Sequence, residues 1–261
     1  GLYSQIMPGE YFKTIGNALV DRWDEKEFHR VAHEVLSEFD PPSDFGFETL
    51  TQWAIEREEL PKQVNFHSGF GSPPLVVFAA PVNRFSAAVL VWFPSRTAIH
   101  GHGFSGAFRV LSGYSLQCRY RYEGEELCEG LKKGSLNEVG LDFVSPGHTN
   151  PIEKDENFIH TVIHMGKPSL TLVVRTPADK STKYQYEYFR NGLAVASYLR
   201  TESQARQVAM LRASGVVNPE AFQDEVIRYL VGGDLHRLAL CGISHLAPEL
   251  KANPDLLERA R

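Results

Sequence analysis

Cysteine is scarce in this chain, with three residues in 261, Cys118, Cys128 and Cys241. Their number is odd and their spacing wide, so neither a disulfide framework nor a CxxC site can be drawn, and a reducing, cytoplasmic compartment is the expectation. Positive charge is not in excess: 27 Lys and Arg stand against 32 Asp and Glu, a formal net charge of −5. That balance lacks the basic footprint of a nucleic-acid partner. No apolar run approaches the ~18 residues of a membrane helix. The first ten residues, GLYSQIMPGE, lack the basic-then-apolar layout of a signal peptide. Internal repeats and low-complexity segments are absent as well. What the chain does have is 43% hydrophobic and 23% charged residues, enough apolar material for one sizeable core in an ordinary soluble protein.

Three textures follow one another. Within residues 1–60, DEKEFHRVAHEVLSEF (24–39) places Phe28, Val31, Ala32, Val35 and Phe39 at helical spacing. Asp24 reads as its N-cap, and Pro41 and Pro42 end it. A second helix is expected from Ser43 to Glu59, capped by Ser43 or Asp44, with Leu50, Trp53 and Ala54 on its apolar side. Both suit helices packed outside a β unit. From 61 to 190 short β-branched and aromatic runs take over: VNFH, LVVFAA, SAAVLVWF, AFRVL, YSLQCRYRY, LDFV, FIHTVIH, SLTLVVRT and KYQYEYFR. Gly, Pro, Asn and Asp punctuate them at roughly the 8–12-residue spacing of a sandwich or barrel. From 191 to 261 the helical period returns in about four short helices. SQARQVAMLRASG (203–215) ends at a glycine. NPEAFQDEVIRYLVGG (218–233) has Asn218 as N-cap and Pro219 at its first position. DLHRLALCGISHL and PDLLERAR complete a tail that would cover the barrel, form a lid or build a homodimer interface.

Between the β runs lies TAIHGHGFSGAFRVLSG (97–113). Side chains at i and i+2 of a strand share a face, so His100 and His102 aim at one point. The pair suits a transition metal; two polar residues on a wet strand face is the competing reading. His160 and His164 lie in the later run ENFIHTVIHMG. They share a face but stand roughly 13 Å apart along a strand, so only one of them should reach the same ion. His148, in the turn-like SPGHTNP, reads as a loop histidine or as a ligand or ligand partner. His29, His33, His67, His236 and His245 read as structural or surface residues. Tyr184, Tyr186 and Tyr188 alternate, as in a packing ladder on one strand face.

These residues resemble the cupin metal pattern, and within the cupins they are most similar to the thiol dioxygenases of the cysteine dioxygenase and 3-mercaptopropionate dioxygenase type. HGHGFSGAFRVLSG (100–113), FIHTV (158–162) and PSLTLVVRTP (168–177) carry the resemblance, which covers about 85–177. It implies a mainly β fold, the cupin double-stranded β-helix or jelly-roll barrel, with N-terminal helices and a C-terminal helical tail. It implies His100, His102 and His160 as metal ligands. The glutamate that many cupins carry just after His-x-His has no counterpart in Gly103, Phe104, Ser105, Gly106 and Ala107, so a neutral three-histidine site is expected. Gly106 falls where eukaryotic members have a cross-linked cysteine and bacterial members commonly have glycine. The substrate pocket is expected around Gly106, His164 and Val173. The family's Ser-His-Tyr unit falls on Ser169, Thr171 and Val173, and its carboxylate-binding arginine falls near Leu75. Two of those three groups and the arginine are therefore missing. Arg84, Arg109 and Arg175 are the candidate replacements, each also readable as a surface or structural residue.

Three neutral imidazoles leave a divalent charge uncompensated and, in an octahedral ion, three positions open. That suits iron(II) with an anionic small-molecule substrate and O2. The same donors in tetrahedral geometry suit zinc and an activated water. The expectation is a non-haem Fe(II) dioxygenase acting on a small thiol or a related small polar molecule, without a nucleic-acid or membrane partner. The alternatives are a zinc, manganese or nickel hydrolase or isomerase, and a non-catalytic small-molecule-binding cupin.

Overall fold

The computed structural model describes residues 7–56, 60–63, 74–177, 185–196, 202–233 and 235. The chain divides into two units, Gly1–Arg121 with Glu138–Lys183, and Tyr122–Asn137 with Tyr184–Arg261. The division falls inside two long strands, β6 and β7.

In the first unit three helices precede the strands: α1 (Pro8–Asp21), α2 (Phe28–Glu38) and α3 (Phe47–Ile55). One antiparallel sheet has the order β1-β2-β10-β5-β8, from Pro74–Ala79, Ser86–Trp92, Ser169–Arg175, Gly106–Ser112 and Thr149–Ile152. Opposite it, β9 (Asp155–His164) pairs antiparallel with β3 (Ser95–Arg96), β4 (Ile99–His102) and β6 (Ser115–Cys128). Next to β6 in that sheet runs β7 (Leu131–Val144). The strand order, in which sequence neighbours alternate between two sheets around one interior, is the double-stranded β-helix; the protein is mainly β.

The unbroken apolar run SAAVLVW has a physical reason. Ala87, Val89 and Val91 of β2 join Leu170, Leu172 and Val174 of β10 and Ala107 and Leu111 of β5 in a core shared with the helices. Tyr11, Phe12, Ile15 and Leu19 of α1, Phe28, Val35 and Leu36 of α2 and Trp53 of α3 supply its other half. Leu90 and Trp92 point the opposite way, into an interior cavity. Both faces of β2 are therefore buried, and a strand buried on both faces reads as continuous hydrophobicity rather than alternation.

Several element ends differ from the sequence reading. The helix expected at 24–39 begins at Phe28, because Asp24 Oδ1 accepts from the backbone N–H groups of Lys26 and Glu27 in a local turn instead of capping a helix there. The helix expected from Ser43 to Glu59 is only Phe47–Ile55, entered from an extended Gly46, with neither Ser43 nor Asp44 as its cap. Helix α1 went unread. Its Tyr11, Phe12, Ile15 and Leu19 follow the 3.6 period and are buried. Beyond Tyr122 and before Leu141, β6 and β7 continue as a long hairpin that the sequence reading left out. The residues of EGEEL and SLNEVG are exposed or only half-buried there, so no apolar alternation advertises them, and Gly130, at φ +76°, turns the chain between them.

In the second unit β11 (Glu187–Tyr188) pairs with β12 (Leu193–Val195), and β12 with the Leu131–Lys133 end of β7. Tyr186 and Tyr188 have ring centroids 6.4 Å apart, and only Tyr188 lies within a strand and is fully buried; Tyr184 lies outside the described residues. Helix α4 (Glu202–Val217) runs past the expected glycine stop at Gly215. Asn218 then caps α5 (Pro219–Val231), its Oδ1 accepting from the Ala221 N–H, with Gly232 after its end. Val208, Val226 and Leu230 form the small core between these helices. The VNFH run with His67, and the segments carrying His236, Cys241, His245 and PDLLERAR, lie outside the described residues. No helix among the described residues is long and apolar enough to cross a membrane.

Candidate metal centre

Strand β4 is four residues long and buried throughout. Within it His100 and His102 project to one side, as the two-residue period requires. Strand β9 lies antiparallel beside it, with His100 directly opposite His160 and a register irregularity before His102 meets Asp155. Cross-strand pairing thus delivers the third imidazole to the first two. The ring centroids are 4.8 Å apart for His100–His102 and His100–His160, and 5.0 Å for His102–His160. One ring nitrogen from each lies within 4.8 Å of the others, and all three residues are buried. Two donors each about 2.1 Å from one ion stand no more than about 4.2 Å apart, so the rings sit close to ligand spacing.

The hydrogen bonds fix which nitrogen faces inward. His100 Nδ1 lies 2.9 Å from Ala98 O, and His102 Nδ1 lies 3.3 Å from Phe158 O. A carbonyl only accepts, so each Nδ1 carries the proton and donates. His160 Nδ1 donates in the same way to Gln117 Oε1 at 3.1 Å. Each ring is therefore the Nε2 lone-pair tautomer, and an oxygen partner on Nδ1 is the usual support of a metal-binding histidine. Burial drives the pKa of His100 below the ordinary value, and drives those of His102 and His160 well below it. For the latter two, the neighbouring imidazoles add to the effect. All three are thus neutral bases at neutral pH, the form that ligates.

The triad opens on a cavity of about 70 Å³. Phe104, Phe108, Val110, Val144 and Ile152 form one apolar cluster of its wall, with Val173 packed against them, and Leu90, Trp92 and Val162 add further apolar lining. Phe158 stacks beside the ligands, 4.5 Å from His160 and 5.5 Å from His102 between ring centroids. His164 does not join the triad. Its Nδ1 pairs with Ser115 Oγ at 3.0 Å and its ring stacks on Trp92 at 4.2 Å. Burial alone pushes its pKa down to about 4.

Of the expected pocket residues, His164 and Val173 line the cavity and Gly106 does not. Gly106 sits where β5 crosses β10, and a Cβ there would lie 1.9 Å from Val174 O. Its role is close strand packing. Thr171 lines the cavity, whereas Ser169 is buried against Tyr114 O. None of the three arginines is in the lining. Arg109 turns away to the helices and donates to Leu36 O, Phe39 O and Asp40 Oδ1. Arg84 lies over the Trp23 ring and Arg175 over the Phe104 ring. His148 is in a turn, its Nε2 accepting from Asn150 Nδ2, and is not a lining residue. Gln117 is the functional residue that the sequence reading missed. The available signal was a glutamine at an inward position of the alternating run SLQCRY.

No family model matches this chain, and no curated protein does. Similar solved structures include KdgF from Halomonas sp. (14% identity, 41% of this chain and 82% of that one, TM-score 0.29). A Klebsiella pneumoniae protein with a double-stranded β-helix domain shares 15% identity over 51% of this chain and 84% of its own, with a TM-score of 0.28. An oxalate oxidase shares 17% identity over 49% of this chain and 56% of its own, with a TM-score of 0.27. At such TM-scores the fold rests on this chain's own strand order. That order and the converging imidazoles make this a mainly β, double-stranded β-helix protein with a buried three-histidine cluster built to hold a metal ion.

Proposed function

We propose that this protein is a metal-dependent dioxygenase of the cupin type, holding iron(II) through Nε2 of His100, His102 and His160 and oxidising a small molecule, a small thiol first among them, with O2. The observation that carries the reading is the set of three Nδ1 donors, each anchored to an oxygen so that three Nε2 lone pairs converge. Bound there, the ion would supply redox and Lewis-acid chemistry, its charge left unneutralised by three uncharged ligands. The chain's own residues orient the ligands and keep water out: Gln117 holds the His160 ring, and Phe104, Phe108 and Phe158 surround the triad. The apolar lining favours O2, itself apolar. Among the described lining residues there is no Asp or Glu, which leaves metal-assisted hydrolysis without a carboxylate general base.

The test is metal analysis of protein purified without chelators, followed by O2 uptake with small thiols. His100→Ala, His102→Ala and His160→Ala should each abolish stoichiometric metal binding and O2 uptake. Full iron occupancy and uptake in all three variants would sink the reading. Zinc at one equivalent with no O2 uptake from iron-reconstituted protein would replace the oxygenase with a hydrolase or isomerase.

A further inference from the structure

The wall between the triad and His164 carries polar atoms that the metal site does not use. Along β6 and β9, Ser115 stands opposite His164, Gln117 opposite Val162, and Arg119 opposite His160. Ser115, Gln117, His160, Val162 and His164 all face the cavity. Two side-chain atoms on this wall are buried with no hydrogen-bond partner, Gln117 Nε2 and His164 Nε2. Gln117 is 0% exposed and His164 6%. A buried polar atom left unpaired is costly, and both residues line the same cavity as the triad. Gln117 Oε1 and His164 Nδ1 are engaged by His160 and Ser115, so each side chain is held in place with its Nε2 spare.

The charge inventory of the cavity is equally specific. Its described lining residues include no Lys, Arg, Asp or Glu. His164 is neutral, since burial holds its pKa down to about 4. Trp92, which stacks on His164, and Leu90 and Val162 add apolar lining, and Thr97 and Thr171 add two hydroxyls. A carboxylate carried away from the triad would meet no cation among the described lining residues, and a charge buried without a counter-charge is strongly disfavoured. An uncharged hydroxyl or amide would instead satisfy the two spare nitrogens.

We infer that the cavity binds a short molecule with a metal-binding donor at one end, an apolar middle, and an uncharged hydroxyl or amide at the other end, held by His164 Nε2 and Gln117 Nε2. A carboxylate at that other end is excluded. The inference deepens the reading of the triad as a metal site, from which it takes only which end of the molecule faces the histidines. Four residues of strand, about 13 Å, separate the Cα atoms of His160 and His164. A three-carbon chain with a donor at each end is short enough to lie within that span.

The matched probes are 3-mercaptopropan-1-ol, 3-mercaptopropionate and propane-1-thiol. Their binding is followed by ligand-observed NMR on the full chain, metal-free and metal-loaded. In metal-free protein, where the carboxylate cannot chelate, the alcohol should bind at least ten-fold more tightly than the carboxylate. His164→Phe keeps a ring on Trp92 but removes the nitrogen. It should weaken the alcohol at least five-fold and leave propanethiol unchanged. Ser115→Ala, which frees the imidazole to turn, should move the alcohol in the same direction. Equal or tighter binding of the carboxylate by metal-free wild-type protein overturns the inference, and so does failure of the alcohol to bind. Metal content in the same samples tests the other reading separately. A chain that prefers the alcohol but takes up no metal refutes the metal site alone, and one that binds metal but prefers the carboxylate refutes the substrate class alone.

Discussion

At the scale of single residues, the site depends on what stands behind each imidazole. His100 and His102 donate to backbone carbonyls, which no substitution removes, whereas His160 depends on a side chain, Gln117. Gln117→Leu leaves the His160 Nδ1–H buried without an acceptor and free to adopt the other tautomer. Metal affinity should fall about 10–100-fold, the usual cost of losing such a partner, while Gln117→Glu, which keeps the acceptor oxygen, should retain most of it. Competition with a chelator of known affinity measures both. A loss under two-fold in the leucine variant would show that Gln117 does not position the ligand. His100, His102 and His160 were legible in the sequence because a strand's two-residue period places His-x-His on one face and the resemblance pointed to a third histidine. Gln117 was not, because its importance arises from the register of β6 on β9, which no local pattern encodes. Gly106 drew attention by its position in the motif, and its close contact with Val174 O shows that glycine is needed there for strand packing and not for the pocket.

At the scale of elements, the sheet that walls the cavity is fastened to the helices by one charged residue. Arg109 lies in the middle of β5, is 4% exposed, and donates to two carbonyls at the C-terminal end of α2 and to Asp40 just beyond it. Those carbonyls are among the acceptors that a helix end leaves without intrahelical partners. Arg109→Ala strands them and opens a cavity between β5 and α2, so it should destabilise the chain by about 3 kcal/mol. Urea unfolding gives the value, and metal affinity should change little because the side chain points away from the triad. A change under about 1 kcal/mol would mean that the apolar core alone fixes α2 to the sheet. The strands were readable wherever burial leaves an apolar signature, as in β2, β5, β9 and β10. The exposed hairpin of β6 and β7 was not, since it is paired through its backbone while its side chains meet solvent. Helix starts were misplaced where a capping residue such as Asp24 formed a turn of its own.

At the scale of the whole chain, four buried neutral histidines link stability to pH. Burial lowers the folded-state pKa of His100, His102, His160 and His164 below the ordinary value of 6.5, with His164 reaching about 4. An unfolded chain exposes these imidazoles and protonates them near 6.5. As pH falls below that value, the unfolded state takes up protons that the folded state refuses, so stability declines with pH and is level above it. For His164 alone the loss between pH 6.5 and about 4 amounts to roughly 3 kcal/mol, a large share of the 5–15 kcal/mol typical of a domain. The triad adds to the same acid limb. Metal binding reinforces the dependence, because the ion competes with protons for the same Nε2 lone pairs and at 100 times its Kd contributes about 2.7 kcal/mol. Metal-free protein followed by thermal unfolding from pH 8 to 4.5 should hold a level Tm down to about 6.5 and then lose it progressively. His164→Phe should flatten part of that decline. Metal-loaded protein should show a higher plateau and a steeper fall, since the ligand is displaced as the site protonates. A Tm of metal-free protein that stays level down to pH 4.5 would contradict four buried neutral imidazoles, and with them the electrostatic basis of the site.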